Sequence, residues 1–305
     1  MRWRKLGQIF QQDGAQSWRA NSALTPTPVL LNEETIRVYA GFRDQEGISR
    51  IGYVDLDSAN PSIVKAVAKE PVLDIGRPGC FDDNGVILGD IINHNGCWRM
   101  YYVGFQLVKR AKFLAFTGVA ESKDQGESFT RLSEAPVLDR AAGATTIRAI
   151  HSARYEQGRW RIWYAAGNDW QDIKGTAYPR YNIWYTESQD GLCFNQASSL
   201  CIDVQDEEYR IGRPSVYHHE GLYYMFYTRG STSGEDYYPG LALSTDGCNW
   251  QRQDGDFGLP LSSTGFDSIH LCYPRLLAVQ NKTYCVYNGN NMGAEGFGLA
   301  ELLEW

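Results

Sequence analysis

The chain has 305 residues, of which 43% are hydrophobic and 13% aromatic, a balance typical of a globular protein rich in β-strands. Its formal net charge of −7 argues against a nucleic-acid groove or an anionic membrane surface as partner. No apolar run approaches the ~18 residues of a membrane-spanning helix, and the N-terminus lacks the apolar core of a signal peptide. We therefore expect a cytoplasmic protein that binds neither nucleic acid nor membrane.

The seven cysteines are odd in number and scattered, and they include no Cys-x-x-Cys pair. This usage predicts free thiols in a reducing compartment. The sequence also lacks zinc-type ligand spacing, a Gly-rich phosphate loop and a Gly-x-Ser-x-Gly nucleophile motif. We therefore predict no metal site and no cofactor.

The first predicted element is a strand at Trp3–Phe10, and a unit of about 60 residues then repeats five times. Each unit contains an apolar run, a strand with a hydrophobic-Tyr pair, a third short strand and, except in the last unit, a fourth. Steps of 63, 62, 63 and 60 residues separate the marker tyrosines, which are Tyr39, Tyr102, Tyr164, Tyr227 and Tyr287. Four strands in each of five repeats predict an all-β fold. We expect a five-bladed β-propeller with four antiparallel strands per blade, forming one domain over residues 1–305.

Three repeats share a Ser-x-Asp turn before the fourth strand, at Ser122–Phe129, Ser188–Phe194 and Ser244–Trp250. Serine and aspartate side chains bond their own backbone in such turns, so these aspartates are predicted to be structural. The fifth repeat ends at Trp305 after its third strand. The strand Trp3–Phe10 is therefore predicted to complete that repeat and close the ring, which covers an open edge. An array that stays open is the alternative.

Candidate catalytic acids lie near the starts of the predicted inner strands, which line the channel of a propeller. Asp44 follows the Tyr39 strand, and Asp82 and Asp83 precede the second inner strand. Paired acids suit proton transfer to a glycosidic oxygen or to water. We predict catalytic roles for these three, with Asp83 first. The alternative is that they only stabilise turns.

Candidate binding residues are basic, aromatic or amide side chains near the same strand ends. Arginine recognises carboxylates and phosphates, so the ligand is expected to be acidic or phosphate-bearing unless these arginines pair with nearby acids. Amide and phenol groups suit sugar hydroxyls, and loop stabilisation is their alternative. An insertion at 168–181 is predicted to form a lid with Trp170 or Tyr178 stacked on a sugar. The substrate-binding candidates are Arg43, Arg148, His151, Arg180, Arg213, Asp267, Tyr273, Asn288 and Asn290.

Together, the repeats, the Ser-x-Asp turns and the acid-bearing strand starts resemble the five-bladed glycosidase superfamily, which includes glycoside hydrolase families 32, 43 and 130. Phe42-Arg43-Asp44 is similar to the Arg-Asp of families 32 and 130, and Phe81-Asp82-Asp83 to the blade-two acid of families 43 and 130. The endings 287–290 and 296–300 resemble cytosolic members associated with bacterial surface-polysaccharide synthesis. The resemblance implies an enzyme that cleaves or transfers a glycosyl group of a carbohydrate.

One departure from family 43 concerns the general-acid glutamate that precedes Gly-Pro at the fourth inner strand. Here the run is Ile211-Gly212-Arg213-Pro214, and the nearest glutamates are Glu207 and Glu208. The departure favours a non-catalytic glycan-binding propeller. A phosphorylase or glycosyltransferase on the same scaffold is a further alternative, in which Arg148, Arg210 and Arg213 supply a basic pair for phosphate.

Overall fold

The protein is described by a computed structural model over residues 1–194, 197–233 and 236–305. Within these ranges the chain forms twenty strands and three short helical turns, at Ser17–Arg19, Asp254–Asp256 and Asn290–Gly293. The strands are β1 Arg2–Phe10, β2 Asn21–Asn32, β3 Thr35–Arg43, β4 Ser49–Asp57, β5 Val64–Val67, β6 Val86–His94, β7 Cys97–Gln106, β8 Leu114–Ser122, β9 Thr130–Arg131, β10 Ile147–Glu156, β11 Arg159–Ile173, β12 Thr176–Ser188, β13 Ser199–Ile202, β14 Glu208–His219, β15 Leu222–Ser231, β16 Asp236–Ser244, β17 Gln251–Arg252, β18 Cys272–Val279, β19 Lys282–Asn288 and β20 Phe297–Glu304. The fold is all-β, as predicted.

Antiparallel pairing divides the strands into five groups of four. Four groups follow the chain, as β2–β5, β6–β9, β10–β13 and β14–β17, and the fifth joins β18–β20 to β1. Two short parallel pairings link the second, third and fourth groups into one sheet of twelve strands. The first strands of the groups, which we call the inner strands, contact one another in a cycle that runs from β2 through β6, β10, β14 and β18 back to β2.

The N-terminal strand supplies the strand that the fifth repeat lacks. β1 pairs antiparallel with β20, from Arg2 opposite Glu304 to Phe10 opposite Phe297. The Phe10 and Phe297 rings stack with centroids 5.6 Å apart, so the pairing also buries apolar surface. The predicted pairing of the two chain ends is confirmed.

Two of the marker tyrosines have rings that fill the space left by a glycine on the neighbouring strand. Tyr102 lies opposite Gly118, and Tyr227 lies opposite Gly240. A Cβ atom at Gly118 would come within 2.3 Å of the Tyr102 ring, and one at Gly240 within 2.1 Å of the Tyr227 ring. Each ring therefore requires a glycine at that position, and this requirement fixes part of the repeat.

The Ser-x-Asp turns are structural, as predicted. In the second turn, Asp190 accepts hydrogen bonds from the amides of Leu192 and Cys193, both at 2.8 Å. Mainly because of these amides, the pKa of Asp190 falls to about 2. The turn tips also join neighbouring groups, since the Tyr39 and Tyr101 hydroxyls donate to the carbonyls of Gly126 and Gly191 at 2.8 Å.

All seven cysteines are free thiols, as predicted. Over the described ranges, no helix is long and apolar enough to cross a bilayer. The same part of the chain brings no three His, Cys, Asp or Glu side chains together in a way that suits a metal ion.

Candidate functional site

Each inner strand is interrupted at an equivalent position. The register with the second strand shifts at Thr25-Pro26, Gly89, His151, Arg213-Pro214 and Tyr273-Pro274. These positions are 64, 62, 62 and 60 residues apart, close to the period of the tyrosines. A bulge redirects a side chain away from the regular in-out alternation. Three of the bulge residues have a positive φ before proline, namely Thr25 (54°), Arg213 (56°) and Tyr273 (57°).

Three of the bulge residues that were predicted to bind a ligand lie together. The Arg213 guanidinium is 5.5 Å from the centre of the Tyr273 ring, and its Nη1 lies 3.0 Å from His151 Nδ1. Nη1 also donates to the Leu88 carbonyl at 2.5 Å. Both Arg213 and His151 are buried. The structure therefore unites predicted candidates from the third, fourth and fifth groups.

Burial, with a contribution from neighbouring charges, determines how these groups ionise. Burial, together with the charges of Arg213 and Arg275, lowers the pKa of His151 well below its usual value, so the imidazole is neutral at pH 7. Burial and the nearby Arg275 lower the pKa of Arg213 to about 9. Burial also raises the pKa of Tyr273 well above its usual value, which keeps the phenol protonated.

A second arginine reaches the same region from β18. Arg275 Nη1 donates to Asp90 Oδ1 at 3.1 Å, and Nη2 donates to the carbonyls of Gly89 and His151. Asp90 Oδ2 also accepts from the Ala153 amide at 2.8 Å. These contacts tie the second, third and fifth groups together. Asp90 and Arg275 also line a cavity of about 160 Å³.

Aromatic and basic side chains continue outward from Arg213 and Tyr273. Tyr237 lies 5.7 Å from the Tyr273 ring, and the Arg210 guanidinium lies 4.1 Å from the Tyr237 ring and 5.5 Å from the Tyr178 ring. We call Arg210, Arg213, Tyr178, Tyr237 and Tyr273 the Arg–Tyr cluster. It brings together aromatic ring faces, which suit stacking on a sugar ring, and the Arg213 guanidinium, whose N–H groups suit sugar hydroxyls.

The insertion predicted as a lid is a long hairpin formed by β11 and β12. Its strands pair out to Ile173 opposite Thr176. Trp170 packs edge-on against Phe113 with centroids 5.3 Å apart, so this indole is held against the loop that precedes β8. Tyr178, on the second strand of the hairpin, is the side chain that joins the Arg–Tyr cluster.

Asp82, a predicted catalytic acid, is held inside the second group. Its side chain is 1% exposed and pairs with Arg131 on the outermost strand, β9, at 2.7 Å. Asp267, a predicted binding residue, has the equivalent place in the fifth group. It pairs with Lys5 on β1 at 2.6 Å and accepts from the Tyr287 hydroxyl at 2.9 Å. The repeat itself therefore accounts for both acids, and the predicted catalytic role of Asp82 and binding role of Asp267 stay predictions.

The other two predicted acids stabilise turns. Asp44 Oδ1 accepts from the amides of Glu46 and Ile48, and Oδ2 accepts from Arg50 at 2.7 Å. Burial opposes its ionisation, but these hydrogen bonds outweigh burial and lower the pKa of Asp44. Asp83 Oδ2 accepts from the Gly79 amide at 2.8 Å. Neither acid hydrogen-bonds Arg213 or His151, and their catalytic roles stay predictions.

The two predicted asparagines stabilise loops, which was the stated alternative. Asn288 accepts from the Thr25 amide and donates to the carbonyls of Ala23 and Gly296. Asn290 accepts from two backbone amides and donates to a carbonyl and a hydroxyl in the preceding loop. Because both ends of each amide are engaged, neither side chain is open to a sugar.

The remaining arginine candidates do not join the cluster. Arg148 donates to the Asp139 carbonyl at 2.7 Å and lies over the Tyr164 ring. Arg180 is exposed on β12. Arg43 ends β3, and its Nε is buried with no hydrogen-bond partner among the described residues.

Glu208, one of the glutamates nearest to Arg213 in sequence, also belongs to a local network. Its carboxylate pairs with Arg252 at 2.7 Å and with Arg229 at 3.2 Å. These contacts lower the pKa of Glu208, although burial opposes the shift. A carboxylate held ionised in this way is not a proton donor at pH 7.

Sequence reasoning missed Asp90, Arg275, Tyr237 and Gly89 as members of the central region. The signal that locates two of them is the repeat period applied to the inner strands. Gly89 falls one period before His151, and Asp90 follows Gly89 directly.

A larger cleft of about 380 Å³, lined by Arg77, Phe81, Glu134 and other residues, shares no lining residue with the Arg–Tyr cluster.

Comparison with known sequences gives two relatives over the full length. Both are uncharacterised proteins of Mycobacterium tuberculosis, each 31% identical to this chain over 308 residues, with 99% of both chains covered. The chain belongs to the family of these mycobacterial proteins. No protein-family model matches it.

Solved structures show which fold this family member has. A glycoside hydrolase aligns with a TM-score of 0.73 and 16% identity over 99% of this chain and 92% of that one. A thermostable family-43 glycoside hydrolase aligns with a TM-score of 0.67 and 20% identity, over 92% of this chain and 88% of that one. An α-L-arabinofuranosidase from Lactobacillus brevis aligns with a TM-score of 0.71 and 11% identity, over 93% of this chain and 91% of that one. The chain therefore shares the fold of family-43 glycoside hydrolases, as the resemblance implied.

Proposed function

We propose that the protein is a single-domain, five-bladed β-propeller that binds a carbohydrate at the Arg–Tyr cluster. Three observations support the architecture: five groups of four antiparallel strands, the cyclic contacts of the inner strands, and the pairing of β1 with β20. Pairing between the chain ends covers the edge of β20. The shared fold with glycoside hydrolases supports a carbohydrate as the ligand.

One observation carries the binding proposal. Arg213 and Tyr273 project from equivalent bulges of neighbouring inner strands and meet there, 5.5 Å apart. With Tyr178 and Tyr237 they offer ring faces for stacking, and the Arg213 guanidinium offers N–H groups for sugar hydroxyls. The guanidinium groups also suit an acidic or phosphate-bearing sugar.

Binding without two-carboxylate hydrolysis is the better supported activity. Glycoside hydrolysis needs two carboxyl groups on either side of the scissile bond, roughly 5 to 9.5 Å apart. In the described chain, Asp82, Asp267 and Glu208 are each paired with a basic residue of an outer strand. Asp44 and Asp83 each accept hydrogen bonds within a turn. None of these acids is presented as a proton donor beside Arg213.

Glycosyl cleavage or transfer is the second candidate. The observation in its favour is the likeness to hydrolases over nearly the whole chain, including an arabinofuranosidase and a family-43 enzyme. A phosphorylase or glycosyltransferase would need fewer protein acids than a hydrolase, which fits the basic cluster. A cytoplasmic location and a role in polysaccharide metabolism belong to the same proposal. The scattered cysteines support the location, and the family resemblance supports the role.

The test compares binding and turnover on one panel of oligosaccharides that includes xylose, arabinose and uronic-acid units. We expect saturable binding without release of reducing ends. Tyr178→Ala should weaken binding, because it removes a ring from the cluster. Tyr155→Ala is the matched control, since Tyr155 is 42% exposed and contacts His94 and Trp160 instead of the cluster. Equal binding by the two variants contradicts the site, and turnover that survives purification favours the second candidate.

A further inference from the structure

We propose that Arg213 holds one anionic group, a carboxylate or a phosphate, of the ligand at the centre of the fold. This inference rests on the proposed carbohydrate site and specifies what that site recognises. It is carried by the position of Arg213, by its unused hydrogen-bond donors and by the balance of buried charge around it.

Arg213 is buried but has donors to spare. It is 9% exposed, and its Nη1 donates to the Leu88 carbonyl and contacts His151 Nδ1. Within the described chain, its Nε and Nη2 groups donate to no protein acceptor and its charge is paired with no carboxylate. A guanidinium has five N–H donors in a planar fork that matches two oxygens of a carboxylate or phosphate. The unused edge of the fork is therefore an anion-binding edge.

Among the residues that the structure describes, the buried charges of Arg213, Arg275 and Asp90 do not balance. Arg213 and Arg275 are both positive, and Asp90 is the carboxylate that they surround. Asp90 is engaged by Arg275 and by backbone amides, so it does not neutralise Arg213. Removing an unpaired charge from water is costly. The lowered pKa of Arg213 reflects that cost, and an anion on Arg213 would remove it.

His151 lies against the engaged side of the same guanidinium. Because the imidazole is neutral and its Nδ1 faces Arg213 Nη1, Nδ1 is the acceptor and Nε2 carries the hydrogen. Tyr273 lies beside the guanidinium and supplies an apolar face. This combination of a planar fork and an aromatic wall fits one anionic group attached to a sugar ring. It equally fits a free phosphate ion bound beside a sugar.

The test is calorimetric titration of the intact protein with inorganic phosphate, D-glucuronate and D-glucose. We expect binding of at least one of the two anions by the wild type. Arg213→Gln should weaken that binding by about tenfold or more, because a hydrogen-bonded charge pair is lost. Arg110→Gln is the control, since Arg110 is exposed and its change alters the net charge equally. Arg213→Lys should bind with intermediate affinity, because it keeps the charge without the fork.

The outcomes separate this inference from the proposed function. Preference for phosphate over glucuronate assigns the anion to a phosphate, and the reverse assigns it to a uronic acid. Equal weakening by Arg213→Gln and Arg110→Gln shows only non-specific charge attraction and overturns the inference. Binding of neutral oligosaccharides with no affinity for either anion also overturns it, and leaves the carbohydrate site intact. Arg213-dependent binding of phosphate without binding of any sugar supports the anion site and contradicts the carbohydrate proposal. The melting temperature of each variant establishes that it is folded.

Discussion

Arg275 and Asp90, 185 residues apart in the chain, form a buried ion pair with Nη1 3.1 Å from Oδ1. Their side chains are 8% and 10% exposed. Arg275, on β18, also donates to the carbonyls of Gly89 on β6 and His151 on β10. Asp90, on β6, accepts from the amide of Ala153 on β10. The pair thus joins three inner strands where no direct ladder connects them.

Removing Arg275 should therefore be much more damaging than removing Arg213. Arg275→Met leaves Asp90 buried without its partner, so the free energy of unfolding should fall by about 3–5 kcal/mol. Arg213→Met removes a charge that no carboxylate in the described part of the chain pairs with, and should cost much less. Urea denaturation in a buffer without phosphate or carboxylate ions measures the free energy of unfolding of both variants. Equal losses would contradict the charge balance described for this region.

Deleting residues 1–10 should strongly destabilise the protein. The deletion removes β1, exposes the edge of β20, and takes away the Trp3 indole that donates to the Phe257 carbonyl at 2.6 Å. We expect a large drop in melting temperature and aggregation. Arg2→Gln is the control, because its ion pair with Glu304 is mostly exposed and contributes little. A truncated protein that melts like the wild type would refute the role of β1.

The neighbouring acids Asp82 and Asp83 should respond differently to the same change. Asp82→Asn removes a charge that is 1% exposed and paired with Arg131, so stability should fall by about 1.5–3 kcal/mol. Asp83 is partly exposed and accepts from the Gly79 amide, a bond that asparagine can still accept. Chemical denaturation measures the free energy of unfolding of Asp82→Asn and Asp83→Asn. On any glycoside that the protein turns over, wild-type activity of Asp83→Asn would remove Asp83 from the chemistry.

Asp267 should make the fold sensitive to acid. Burial opposes its ionisation, but hydrogen bonds from Lys5, Ser262 and Tyr287 outweigh burial and lower its pKa. A carboxyl with a lowered pKa stabilises the folded state fully above its unfolded pKa, near 4. That contribution is lost as the pH falls through the lower, folded-state pKa. Melting temperatures between about pH 7 and pH 2.5 should therefore fall less steeply for Asp267→Asn than for the wild type. Parallel curves would contradict this linkage.

Titration of the denatured, non-reduced protein should count seven thiols. The structure has no disulfide among its cysteines, and Cys272 and Cys285 are buried. Cys193 is exposed, so it should react first in the folded protein. A count of five or fewer would indicate a disulfide and contradict both the structure and the predicted reducing compartment.

The sequence by itself determined the strands and their repetition. Period and alternation are local properties, because a side chain's burial in a strand depends on its place in the pleat and on its nearest neighbours. The spacing of the marker tyrosines, the strands around them and the Ser-x-Asp turns therefore revealed the repeat. The spare strand at Trp3–Phe10 likewise indicated the pairing of the chain ends.

Only the tertiary structure decided which polar residues share a site. Phe81-Asp82 and Phe266-Asp267 precede inner strands, yet both aspartates pair with cations of outer strands, Arg131 and Lys5. The sequence could not show this, because an acid at a strand entry looks the same whether a ligand or a distant cation satisfies it. Arg213 and His151 meet because inner-strand bulges redirect their side chains, and Arg275 reaches the same region from the regular part of β18. Their charges combine only once residues more than 60 positions apart are packed together.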